Sequence, residues 1–173
     1  FVNTPGTTVS DVIYVSPSVV QGTGVGTRAN PANFLDALNS ASCSNTIIKM
    51  ATGTYVIDEA VKNLGGNFTL EGGFIETFNW RKTSLSQATR IIRSNLNPEG
   101  PDYGKRLVAF ELSGASNFRF QDITIQMMTP VDTGTWAGTS TYGVHLTNCS
   151  DYAFVRCHIE SSYAANCLDG DNG

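Results

Sequence analysis

LVAFELSGASNFRFQDITIQ, residues Leu107–Gln126, and TYGVHLTNCSDYAFVRCHIE, residues Thr141–Glu160, align without a gap. Phe110 falls on Val144, Leu112 on Leu146, Asn117 on Asp151 and Phe118 on Tyr152. Phe120 then meets Phe154, Ile123 meets Cys157 and Ile125 meets Ile159. The offset is 141 − 107 = 34 positions throughout. Few residues are identical, so what repeats is a pattern of apolar positions, the trace a solenoid coil leaves in a sequence.

Within each stretch, Val108, Phe110 and Leu112 alternate with residues expected to point outward, as the period of two of a strand requires. Small and polar residues at Ser113–Asn117 mark a turn. Phe118 with Phe120, and Ile123 with Ile125, form two further alternating pairs. Two polar residues, Gln121 and Asp122, stand between Phe120 and Ile123 where alternation needs one, so the chain bends there. Three short strands per coil describe an all-β fold, a right-handed parallel β-helix with coils about 4.8 Å apart. Two hairpins of a β-sandwich would not place matching bends at matching positions.

The earlier chain extends the pattern. Asn67–Leu70 repeats Asn117–Phe120, and Thr46–Met50 and Arg90–Arg93 read as further strands. Residues 75–89 and 127–140 read as loops thrown out from the coils. Asn30 as N-cap with Pro31 at the first helical position predicts a helix start. Phe34, Leu35, Leu38 and Ala41 follow at helical spacing. This short helix would cap the open first coil, whose bare edges otherwise invite aggregation. The organisation expected is one domain over residues 1–173, with an entrance strand and cap helix in 1–45 and coils in 46–173.

Several motifs resemble the entrance of pectin-lyase-like parallel β-helix proteins: Val12–Ser18 (VIYVSPS), Gly26–Thr27, Asn30–Pro31, Leu35, Ala37–Leu38, Thr46–Ile48 and Gly53–Tyr55. Leu70–Phe74 (LEGGF) is similar to a segment of bacterial surface β-helix proteins, in particular secreted adhesin-like proteins of Bacteroidota. The likeness spans most of residues 11–160. It implies the fold, and a place at the cell surface with export by the type IX system. It implies much less about activity, because the same frame carries lyases, hydrolases and non-catalytic adhesins.

Composition agrees with a secreted β-rich protein: 173 residues suffice for one continuous core, and only 15% of them are charged. A net charge of −4 with no cluster of Lys and Arg argues against a nucleic-acid partner. No apolar stretch approaches the ~20 residues of a membrane span. Asn166–Gly173 (NCLDGDNG) stops where another coil would begin. The expectation is an N-terminal part of a longer protein, with further coils or a partner chain covering that end.

Cys43, Cys149, Cys157 and Cys167 permit up to two disulfides in an oxidising compartment. Cys149 has Cys167 as one possible partner, whereas Cys157 replaces Ile123 and reads as a small buried apolar residue. Their spacing fits no standard zinc site. Asp122 and Arg156 are expected to stack as neighbours, either as a glycan-binding pair or as a solvent-facing salt bridge, the simpler account. Glu111 with His145, and Thr124 with His158, are further stacked pairs without a convergent third group for catalysis. Asp169 and Asp171 alternate as calcium donors do, yet a plain Gly/Asp turn explains DGDNG as well. Trp80, Trp136, Tyr103 and Tyr142 lie in or near the inserted loops, where they either stack on sugar rings or fold back over the coils. Asn67 (NFT) and Asn148 (NCS) are glycosylation sequons only in a eukaryotic secretory host.

No catalytic, cofactor-binding or metal-ligating residue is assigned and no cofactor is expected. The outward positions expected from the alternation, Leu107, Ala109 and Glu111, then Thr141, Gly143 and His145, form no carboxylate cluster. The functional expectation is a non-catalytic extracellular module of a bacterial adhesin or filament, contacting glycans or surfaces. The alternative is the N-terminal part of a polysaccharide lyase or glycoside hydrolase.

Overall fold

A computed structural model describes residues 11–41, 45–100, 105–131 and 136–166. After strand β1 (Asp11–Val15) and helix α1 (Phe34–Ser40), the chain winds through β2 (Thr46–Ala51), β3 (Gly53–Ile57) and β4 (Val61–Lys62). The next circuit is β5 (Gly66–Ile75), β7 (Thr89–Arg93) and β8 (Arg106–Ser113), with short β6 (Arg81–Lys82) folding back on β5. Then follow β9 (Ser116–Gln121), β10 (Thr124–Met127), β11 (Ser140–Thr147), β12 (Ser150–Val155) and β13 (His158–Glu160). Three sheets result: β1-β2-β5-β9-β12 (sheet A), β3-β7-β10-β13 (sheet B) and β4-β8-β11 (sheet C). All pairings between coils are parallel, and the whole is a β-solenoid of about 4 turns.

The 34-residue register is present bond by bond. Phe110 pairs with Val144, Phe118 with Tyr152, Phe120 with Phe154 and Ile125 with Ile159. Phe68, Phe118 and Tyr152 stack with ring centroids 5.5 and 5.3 Å apart, and Phe120 meets the edges of Phe110 and Phe154. The second residues of β5, β9 and β12 are Asn67, Asn117 and Asp151, all left-handed with φ of 54°, 55° and 51°. Asn and Asp tolerate that region at low cost. The Asn117 amide also donates to Asn67 Oδ1 at 2.9 Å.

Three expectations need correction. The helix is capped by Asn33, whose Oδ1 accepts from the Leu35 N–H at 2.9 Å, and not by Asn30. Ala32 is held extended beside β1 by bonds with Tyr14 O and Ser16 N, which delays the helix past Pro31. Leu107 and Ala109, read as outward, are completely buried together with Val108 and Phe110, so the alternation breaks inside β8. Gly143 also faces inward: a methyl there would meet Ile159 Cγ2 at 2.4 Å. Residues 75–89 are a structured strap rather than a loose loop, with a 3₁₀ turn at Glu76–Phe78 and strand β6. Trp80 anchors it, buried against Ala51, Phe74 and Tyr14 and bonded through Nε1 to Arg28 O.

Candidate functional site

Sheet B is the face that the inserted segments wall in. Its outward rows follow from strand alternation and register: Thr54, Arg90, Thr124 and His158 in one, Val56, Ile92, Gln126 and Glu160 in the other. Three hollows border this face. One of 690 Å³ lies between α1 and β3, lined by Asn33, Leu38, Thr54, Val56 and Asp58. One of 440 Å³ lies under the strap, lined by Lys82, Gln87, Asp122, Thr124, Arg156 and His158. The third, of 1000 Å³, follows the opposite rim past Asn95, Gln126, Met128, Glu160, Ser162 and Tyr163. Together they flank a floor that runs along the solenoid axis.

That floor is rich in hydrogen-bonding groups. The Arg90 guanidinium donates to Gln126 Oε1 while its Nε is buried without a partner among the described residues. His158 Nε2 lies 3.7 Å from Glu160 Oε2, and both side chains are about half exposed. Tyr163 projects at the rim, 87% exposed, with Met128 beside it along the same rim. Thr124, the register partner of His158, lines the hollow under the strap but is itself almost wholly covered.

Asp122 and Arg156 meet as expected, in a two-pronged pair of 2.5 and 2.9 Å. Lys82 of the strap adds a third charge, 2.7 Å from Asp122 and 2.6 Å from Glu71. Arg156 above all, with Lys82 and Gln121, holds the Asp122 carboxyl well below the usual carboxylate range. Asp122 and Arg156 both adopt positive φ, because the chain turns from sheet A to sheet B at these residues. On sheet C, Glu111 pairs in register with His145 but spends its charge on Lys62, at 3.3 Å, and on Arg106. His145 Nδ1 is buried without a partner among the described residues.

The remaining expectations divide. Cys149 and Cys157 are free thiols, both half-buried against the core, and burial pushes the Cys157 thiol pKa up. Trp80 folds back and offers no face to a sugar, whereas Tyr142 is exposed and packs edge-on against His145. Trp136 is half-buried. Cys43, Tyr103, Cys167, Asp169 and Asp171 lie outside the described residues. Among the described residues no group of three His, Cys, Asp or Glu side chains is placed to hold a metal, and no helix is long and apolar enough to cross a membrane.

Sequence reading missed Arg93. Its side chain is fully buried, yet it makes five hydrogen bonds: to Val108 O, Ser94 O, Leu96 O, Asn97 O and Glu99 Oε1, at 2.7 to 3.1 Å. Glu99 in turn accepts from the Ala60 and Val108 N–H groups. The hub pins the turn at 94–99, whose Asn95 lines the 1000 Å³ hollow. Compared with protein families, curated proteins and solved structures, the chain shows no match.

Proposed function

We propose that the protein is a non-catalytic extracellular β-helix module that contacts a glycan along sheet B. The observation that carries this reading is the long floor of Arg90, Gln126, His158 and Glu160, walled by the strap and by the Met128–Tyr163 rim. Such a surface suits a polymer: adjacent hydrogen-bonding side chains repeat at coil spacing, and an aromatic ring stands where a sugar face can stack. A rigid solenoid also projects its binding face without the entropy cost of ordering loops on contact. Membership of a bacterial adhesin or filament, pectin-lyase-like ancestry and export by the type IX system rest on the motif resemblance alone. Immunolabelling of intact producing cells tests them.

The test of binding is a glycan array followed by titration of the strongest hit, with and without calcium. Binding without turnover, weakened at least tenfold in His158→Ala and Tyr163→Ala, is the expected result. Release of unsaturated oligosaccharides would replace this reading with that of a lyase fragment.

A further inference from the structure

Gln126 and Glu160 are register partners, adjacent along the outward row of sheet B, and both line the 1000 Å³ hollow beside the Met128–Tyr163 rim. The Gln126 amide has a fixed orientation. Its Oε1 accepts from Arg90 Nη2, and a guanidinium can only donate, so the atom turned towards it must be oxygen. Arg90 reaches Gln126 diagonally, from the strand position paired with Thr124, and does not itself line the hollow. The Gln126 Nε2 is thereby turned away from Arg90, and the amide offers a ligand N–H groups rather than an acceptor.

Glu160, one coil on, offers the opposite, because an ionised carboxylate accepts and cannot donate. Donor and acceptor stand about one coil spacing apart, ~4.8 Å. Two neighbouring hydroxyls meet that demand: one takes a hydrogen bond from Gln126 and the other gives one to Glu160. Earlier coils of the same row contribute Val56 and Ile92, whose apolar surface suits the C–H face of a sugar ring.

Charge narrows the class of sugar. Among the described residues that line this hollow, Glu160 alone is charged. Arg156 and Lys82, on the other side of sheet B, are committed to Asp122 and Glu71. A ligand carboxylate in the hollow therefore meets a like charge within the ~8 Å screening length of physiological salt. No lysine or arginine among the lining residues answers it.

We infer, on the glycan-binding reading above, that Gln126 and Glu160 are the specificity-determining pair of this hollow, which read adjacent free hydroxyls of an uncharged glycan and reject a uronate polymer. Arg90 is the positioning residue that holds the Gln126 amide.

Titration calorimetry of the full chain tests this, with unsubstituted xylan and mannan as uncharged probes and polygalacturonate and alginate as uronate probes. An uncharged polymer is expected to bind about tenfold more tightly than either uronate. Glu160→Gln removes the charge and keeps the shape, and is expected to narrow that ratio about fivefold. Gln126→Met and Arg90→Met are each expected to weaken binding of the uncharged polymer about tenfold. The double variant is expected to lose no more than either alone, because both changes remove one hydrogen-bonded unit. Arg90→Lys keeps a donor facing Oε1 and is expected to recover part of the affinity. Additive losses in the double variant would overturn the positioning role of Arg90. A uronate bound by the wild type as tightly as the uncharged polymers, or an unaltered ratio in Glu160→Gln, overturns the inference while glycan binding stands. Binding of no polymer in either class would remove the glycan-binding reading, and the inference with it.

Discussion

Arg93 is enclosed completely, yet its guanidinium makes five hydrogen bonds and meets Glu99 at 3.1 Å. Removing one partner of such a pair leaves the other charge buried and uncompensated, at a cost of about 3–5 kcal/mol. Urea unfolding of Arg93→Met is expected to show a loss of that order, with a smaller loss in Arg93→Met/Glu99→Gln. Asp122 acts differently because it sits at the solvent boundary. Its folded pKa is depressed, so its contribution is present above the unfolded value of ~3.9 and is lost as the pH falls through the folded one. Asp122→Asn is therefore expected to lower stability at pH 7 and to flatten the acid limb of the stability curve below about pH 5, so that the two proteins converge at low pH. An unchanged acid limb would contradict the placement of Arg156 and Lys82 around it.

At the scale of the element, the corners decide the register. Asn117→Ala places a β-carbon in a left-handed position and deletes the amide bond to Asn67. A loss of about 1–2 kcal/mol is expected from calorimetry, and Asn117→Gly is expected to recover part of it. The strands were legible in the sequence because the apolar positions Phe118, Phe120, Ile123 and Ile125 recur as Tyr152, Phe154, Cys157 and Ile159. Four features were not legible. Leu107 and Ala109 turn inward only because β8 breaks its alternation, and no local residue signals that break. Asn33 displaces Asn30 as cap because a long-range bridge to Val15 holds residue 32 extended. The strap folds down because Trp80 finds a pocket made by Tyr14, Ala51 and Phe74, which come from the three earlier strands β1, β2 and β5. Arg93 reads as a surface residue ending a strand, and only the turn at 94–99 encloses it. The site was legible in fragments: Asp122 with Arg156 and the outward His158 follow from the repeat, whereas the groove needs the inserted segments to be placed.

At the scale of the molecule, the core is one column of apolar side chains from Val15 to Met127, closed at one end by Phe34, Ala37 and Leu38 of the helix. Tyr55 ties that cap down, packing on Phe34 and bonding Val15 O and Ala51 O at 3.0 and 3.1 Å. Phe120 is fully buried in this column whereas Phe154 is half-buried, and an identical substitution should report the difference. Phe120→Asp buries an unpaired charge in the closed column and is expected to abolish cooperative melting. Phe154→Asp falls on a half-buried site and is expected to keep a cooperative transition at a lowered temperature. Equal melting of the two variants would contradict the coil order.

The claim that sheet B is the working face is tested most directly by hydrogen exchange of the full chain with and without a bound polysaccharide. The probes are polygalacturonate as the acidic polymer and xylan as the neutral one, plus any array hit. The account predicts protection confined to β7, β10, β13 and the Met128–Tyr163 rim, with no shortening of the polymer. Protection on the outer face of sheet A or C with sheet B unchanged would contradict it.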